Sequence, residues 1–250
     1  MPLIPTEQGP MWVADQRRQN STQPVLVLVH GAGGNRLQWP GALRRLDGVD
    51  VIAPDLPGHD RSPGPAHDRI DACADAIAAL LDALAVERAL VLGHSMGGAV
   101  ALALALAAPQ RVDGLVLVCT GARLAVSPDL LNAAAPDAAR LLVEWSWGPN
   151  ADSALQEKHL QALLALPDGT LHADLTACDH FDVRDRLHEI AAPALVVAGA
   201  HDRMTPPRYS AYLESHLPDA QAITPDSGHM LMLEQPTALS KAVSTWLQNR

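Results

Sequence analysis

The chain has 250 residues, 48% of them apolar, and 18 basic against 28 acidic side chains give it a net charge of −10. This composition excludes intrinsic disorder, and the length is ample for a sizeable core in one large domain or two small ones. An acidic chain with no Lys/Arg block is also a poor partner for nucleic acid or an anionic membrane.

The first 24 residues are irregular and are expected to add one or two edge strands. Runs rich in Val, Leu, Ile and Ala then predict strands over 25–29, 49–53, 89–92, 114–119, 194–198 and 220–224. Several are continuously apolar, as strands buried on both faces are. Helical patterns lie between them. Ile70, Cys73, Ile77, Leu81 and Leu84 share one helical face, with Asp68 as the cap. An Ala/Leu-rich helix over 99–107 stops at Pro109, and 236–247 makes a last helix with Pro236 in its first turn. The alternation predicts an α/β fold, a mostly parallel central sheet flanked by helices.

From Ala89 to Gln110 no residue is formally charged, long enough to suggest a membrane span. Gly93-His94-Ser95-Met96-Gly97-Gly98 interrupts the run near its start, so it reads as strand, sharp turn and buried helix. The alternation breaks over 122–182, where Ala138, Leu141, Leu142 and Trp145 share helical spacing, as do Leu155, His159, Leu163 and Leu166. Such an insertion is too large for an ordinary connection. It predicts a helical cap over a core made of 1–121 and 183–250. Cys73, Cys119 and Cys178 have neither disulfide nor metal spacing, which points to a reducing compartment. The start, Met1-Pro2-Leu3-Ile4-Pro5, lacks the regions of a signal peptide, and a cytoplasmic location is expected.

Gly93-His94-Ser95-Met96-Gly97 is a G-x-S-x-G set directly between a strand and a helix. So tight a turn holds the serine in strained geometry with its Oγ exposed, and side chains two before and two after would collide. The Met96 N–H, at the start of the helix, then points at the space above Ser95. His30-Gly31-Ala32-Gly33-Gly34 follows the strongest strand. A dinucleotide fingerprint would need a third glycine where this chain has Arg36, so that use is rejected. The other use of such a loop is to bring the Ala32 N–H opposite that of Met96 as an oxyanion hole.

At these points the chain resembles the α/β-hydrolase superfamily, and the resemblance covers nearly all of it. The 30–34 loop is similar to the family's oxyanion loop, Pro54-Asp55-Leu56-Pro57-Gly58-His59 to a turn after the next strand, and 93–97 to the nucleophile elbow. The stretch from Gly199 to Pro206 resembles the acid-bearing loop and Ser227-Gly228-His229 the histidine loop. The resemblance implies a triad of Ser95, Asp202 and His229, in the family's chain order.

The residues also argue for these positions directly. His229 follows Pro225-Asp226-Ser227-Gly228, a turn at the carboxyl end of a strand, the edge where open α/β sheets place their sites. His59, His67 and His172 read as residues of polar turns or solvated faces, and His30 and His94 flank the two loops without being aimed at Ser95. Asp226 rivals Asp202 as the acid but lies too close to His229 on one turn. Thr120-Gly121-Ala122, where some relatives carry the acid, offers no carboxylate. Asp60, where the family turn has a small residue, reads as a solvated loop charge.

The expected function is cleavage of carboxylic esters through an acyl-enzyme, with no metal and no cofactor. A lactonase, acyltransferase or perhydrolase could use the same residues. Carbon–carbon hydrolases of ring-cleavage diketones are an alternative, although they tend to have Asn before the nucleophile and Trp after the histidine, where this chain has His94 and Met230. Relatives with an Asp nucleophile are excluded by Ser95. A non-catalytic ligand receptor on the same fold is the alternative of another class. Trp39, Leu124, Trp145, Trp147, Met230 and Leu231 are candidate pocket walls for a small-molecule acyl substrate. The cap has no basic cluster, which favours neutral or weakly polar acyl groups. Oligomeric state is not legible.

Overall fold

A computed structural model describes residues 2–249. Two short edge strands, β1 (Leu3–Ile4) and β2 (Met11–Asp15), precede β3 (Val25–Val29), α1 (Gly41–Arg44), β4 (Asp50–Pro54) and α2 (Ile70–Ala83). Then come β5 (Ala89–His94), α3 (Met96–Ala107) and β6 (Val112–Val118). Four helices, α4 (Pro128–Leu131), α5 (Ala135–Ser146), α6 (Ser153–Leu164) and α7 (Thr170–His180), fill the interval before β7 (Ala194–Val197). The chain closes with α8 (Pro207–His216), β8 (Ala220–Ile223), α9 (Leu231–Glu234) and α10 (Pro236–Gln248).

All eight strands form one sheet in the order β1-β2-β4-β3-β5-β6-β7-β8. From β4 to β8 neighbours run parallel, and β1 and β2 add antiparallel pairs at one edge. Alternation along each strand divides the core into two layers. Val27, Val91, Leu117 and Val196 pack on the face covered by α2 and α3. Leu28, Leu92, Val118 and Val197 pack on the other, with Leu142, Leu163 and Leu175 of the inserted helices joining that layer. The uncharged run from Ala89 is β5, the Ser95 turn and α3, and among the described residues no helix is long and apolar enough to cross a membrane.

Two local expectations are corrected. Asp68 does not cap α2; the N-cap is Arg69, which makes no side-chain cap bond, and Asp71 in the first turn pairs with it instead. His59 is not in a solvated turn but is 1% exposed, because its partner comes from the inserted helices.

The topology fixes where a site can form. The connection after β3 runs to β4 on one side and the one after β5 runs to β6 on the other, so the loops after these two neighbouring strands diverge and open a crevice at the carboxyl edge.

Candidate active site

β5 passes into α3 through one residue, Ser95, held at φ 53° and ψ −117°. A non-glycine residue there stores about 1–3 kcal/mol of strain, so the surroundings must over-determine it. They do. Ser95 N–H donates to the Val118 carbonyl at 2.9 Å, and its own carbonyl accepts the Thr120 hydroxyl at 2.8 Å. A Cβ on Gly93 would strike the Gly97 backbone, and one on Gly97 would strike the Val29 carbonyl, so neither position admits a side chain. Ser95 itself is only partly buried and lines an apolar-walled cavity over the sheet edge, of about 410 Å³.

His229 also lines this cavity. Its Nδ1 lies 2.9 Å from Asp202 Oδ2, and both side chains are almost fully buried. Asp202 is held from every direction: Oδ1 accepts the N–H groups of Met204 and Thr205, each at 2.8 Å, and Oδ2 accepts the Thr205 hydroxyl at 2.8 Å. Burial opposes its ionisation, yet the His229 charge and the donors from His229 and Thr205 outweigh burial and keep the carboxyl below the usual range. A carboxylate so anchored fixes the imidazole proton on Nδ1 and leaves Nε2 free to accept one. Asp226, the rival acid, is exposed and pairs with His201 at 2.7 Å.

The loop carrying Ala32 is pinned by its own residues. Leu56 N–H donates to His30 Nε2 at 3.0 Å, which puts the His30 proton on Nδ1, where it bonds the Gly31 carbonyl at 2.9 Å. Gly31 lies against the elbow, since a Cβ there would come 2.8 Å from His94 Nδ1. Ala32 lines the cavity beside Ser95. Met96 opens α3, so its N–H has no intrahelical acceptor.

The inserted helices are tied to the loops of both His229 and Ala32. The carbonyl of Ser146, at the end of α5, accepts the N–H groups of His229 at 2.7 Å and Met230 at 3.1 Å. Asp174 of α7 accepts the Gly33 N–H at 2.7 Å and pairs with His59 Nε2 at 2.8 Å. Burial disfavours the His59 imidazolium, but Asp174 outweighs it and raises the His59 pKa. Arg36, where the dinucleotide fingerprint would need glycine, is buried between Asp55 and Asp60. Asp60 is therefore an ion-pair member and not the free solvated charge its place in the turn suggests.

Of the expected pocket walls, Leu124, Trp145 and Met230 line the cavity. Trp39, Trp147 and Leu231 do not. Trp39 is 1% exposed inside the core layer beneath, and Leu231 is fully buried there. Trp147 points its Nε1–H at His159 Nδ1, 3.2 Å away. His159, which the sequence places only on a helix face, is the residue that reaches the cavity, with its pKa pushed down to about 4 by burial and by His229. His94 also lines it, held neutral by burial and the neighbouring His229, and its Nε2 donates to the His229 carbonyl at 2.9 Å.

Among the described residues, Cys119, Asp202 and His229 bring their donor atoms within 4.8 Å, a spacing that could hold a metal. The chemistry does not fit: both Asp202 oxygens and His229 Nδ1 are committed to hydrogen bonds, and burial keeps the Cys119 thiol protonated.

Comparison with known proteins agrees with this architecture. The model of the alpha/beta hydrolase fold family matches residues 24–236, and the chain belongs to that family. It is 34% identical over 231 residues to the pimeloyl-[acyl-carrier protein] methyl ester esterase of Neisseria meningitidis serogroup C, a match covering 83% of this chain and 88% of that one. It is 33% identical to a putative carbamate hydrolase of Caulobacter sp., covering 91% of each. Among solved structures, a thermophilic esterase from Thermogutta terrifontis superposes with a TM-score of 0.86 at 27% identity, covering 99% of this chain and 98% of that one.

Proposed function

We propose that the protein is a serine hydrolase of carboxylic esters, with Ser95 as nucleophile, His229 as general base and acid, and Asp202 as the group that orients it. The observation that carries the reading is the shared cavity: a strained Ser95 and a His229 whose Nδ1 is bonded to a fully anchored carboxylate face one apolar-walled space. The two relatives named above act, by their names, on a methyl ester and a carbamate. Both are carbonyl compounds with a heteroatom leaving group.

In this reading His229 Nε2 takes the Ser95 Oγ proton as Oγ attacks the ester carbonyl, while Asp202 stabilises the imidazolium without taking the proton. The N–H groups of Ala32 and Met96 hold the oxyanion. Collapse breaks the bond to the leaving alcohol, which receives the proton from His229. Water, deprotonated by His229, then attacks the acyl-enzyme, and as the acyl–Oγ bond breaks His229 returns the proton to Ser95 Oγ and the acid leaves. The elbow strain keeps Oγ aimed at the cavity and requires no rearrangement during turnover. Lactone opening and acyl transfer pass through an acyl-enzyme of the same kind and belong in the same substrate panel.

The test is turnover of p-nitrophenyl butyrate by the wild type and by Ser95→Ala. Loss of about a thousandfold or more is expected. Wild-type turnover retained by Ser95→Ala would overturn the assignment.

A further inference from the structure

The cavity over Ser95 carries no acidic side chain anywhere on its wall, yet Arg203 and Arg208 both line it. Most arginines of this acidic chain are neutralised, as Arg17, Arg36, Arg111 and Arg184 are by Asp15, Asp55, Asp82 and Asp182. Among the described residues, Arg203 and Arg208 have no carboxylate partner. Asp202, next in sequence to Arg203, is committed to His229 and Thr205. Arg208 lies over the Tyr209 ring at 5.3 Å, a stacking that restrains the guanidinium while leaving its donors free. The other ionisable groups on the wall are His94, His159, His229, Cys178 and Tyr209; burial holds His94 and His159 neutral and keeps the Cys178 thiol protonated, and none of the five is a carboxylate that would answer the two positive charges.

The expectation of neutral acyl groups rests on the cap, which indeed places no Arg or Lys on this wall. The charges come from the core, in the loop after β7 and the first turn of α8. Two cations without a carboxylate partner on the wall of a mostly apolar cavity, in a chain with a net charge of −10, form a complement to an anion. We propose that Arg203 and Arg208 form an anion subsite, and that the preferred ester carries a carboxylate or phosphate group in addition to the bond that is cleaved. This deepens the ester-hydrolase reading and rests on it for the cleaved bond, while the subsite itself is a matter of binding.

The experiment compares monomethyl adipate and 3-acetoxypropyl phosphate with dimethyl adipate and propyl acetate, their neutral counterparts. For each anionic ester the ratio of its kcat/KM to that of its neutral counterpart is the readout, so each variant carries its own reference. Wild type should favour at least one anion by about tenfold, mainly through KM, with the preference shrinking as ionic strength rises. The double variant Arg203→Gln/Arg208→Gln should lose it and Arg203→Lys/Arg208→Lys should keep most of it. The anion favoured identifies the group. A ratio near one for both anions in the wild type, or a preference that survives the double Gln variant, overturns the subsite. Calorimetric binding of the same esters to Ser95→Ala separates the two readings. Tighter binding of an anionic ester with no wild-type turnover of any ester overturns ester hydrolysis alone. Equal binding of anionic and neutral esters overturns the subsite alone.

Discussion

Asp174, on a helix of the insertion, accepts the backbone N–H of Gly33 at 2.7 Å, one residue from the N–H proposed to hold the oxyanion. The same Oδ2 pairs with His59 at 2.8 Å, and Oδ1 has no partner, so one buried oxygen joins the insertion, the glycine loop after β3 and the turn after β4. The insertion therefore does more than roof the cavity: through Asp174 it holds the loop of Ala32, and through the Ser146 carbonyl it holds the loop of His229.

Asp174→Ala leaves a buried N–H and an imidazole without their acceptor. It should lower stability by about 3–5 kcal/mol, the usual cost of breaking a buried charged pair. It should also lower kcat on p-nitrophenyl butyrate by about tenfold with KM little changed, because the displaced group acts on the transition state. Asp174→Asn keeps an oxygen for Gly33 and should recover most of kcat but not the pH dependence. His59 titrates above its ordinary value in the folded protein, so its pair with Asp174 contributes fully below about pH 6.5 and is lost as pH rises through the folded pKa. Denaturant titrations at several pH values should show this decline in the wild type and its absence in Asp174→Asn. An unchanged kcat in Asp174→Ala would remove the positioning role.

Much of the site is legible in the sequence because its parts are local. The G-x-S-x-G spacing is itself the steric demand that Gly93 and Gly97 meet, and both loops follow strands that read as continuous apolar runs. What is not legible depends on distant partners. His59 and Asp174 are 115 residues apart, and neither local stretch signals burial of a charged group. Asp174 also interrupts the apolar stripe of α7, where it shares the buried face with Leu171, Leu175 and Cys178, and within the expected helical cap no apolar spacing marks this helix. α8 is missed for a related reason: only Ser210 and Leu213 of its residues are buried, too little for an amphipathic signal. Trp39 is a true core residue, buried in the layer that holds Leu28 and Leu43, which spacing after a glycine loop does not reveal.

That distinction between Trp39 and Trp145 is testable with one pair of variants. Trp145→Ala enlarges the cavity it lines and should raise kcat/KM for longer acyl chains relative to acetate, with a small loss of stability. Trp39→Ala removes a fully enclosed side chain and should cost about 3–5 kcal/mol without changing the chain-length profile. A shifted profile in Trp39→Ala alone would return that residue to the pocket wall.

His94 gives the fold an acid-labile point. Burial first, and then His229 nearby, push its pKa down to about 3, so the native state excludes a proton that the unfolded chain binds below about pH 6.5. Between those values its contribution should cost about 1.4 kcal/mol per pH unit. Glutamine at position 94 can offer an amide N–H to the His229 carbonyl in place of Nε2 but cannot take up a proton. His94→Gln should therefore be less stable than the wild type at neutral pH, and the gap should close as pH falls through this window. A gap that stays constant in urea titrations would show that protonation of His94 is not coupled to unfolding.

Glu234 extends the same logic to the His229 loop. Its carboxylate accepts the Gly228 N–H at 3.0 Å and the Gly148 N–H at 3.1 Å, bridging the residue before His229 to the end of α5. Neither glycine admits a Cβ easily, since one on Gly228 would strike the Gly148 backbone, so the two chains approach closely and depend on the bridging acid. Glu234→Ala leaves both N–H groups unpaired in a half-buried setting and should cost about 1–3 kcal/mol. Because the loosened loop carries the proposed general base, kcat should fall by about threefold to tenfold while KM changes little. Glu234→Gln, which keeps one acceptor oxygen, should fall between Glu234→Ala and the wild type in both thermal midpoint and kcat. Equal loss in the two variants would mean that the negative charge, and not the bridge, holds the loop. Wild-type kcat in Glu234→Ala, alongside a lowered midpoint, would confine Glu234 to stability.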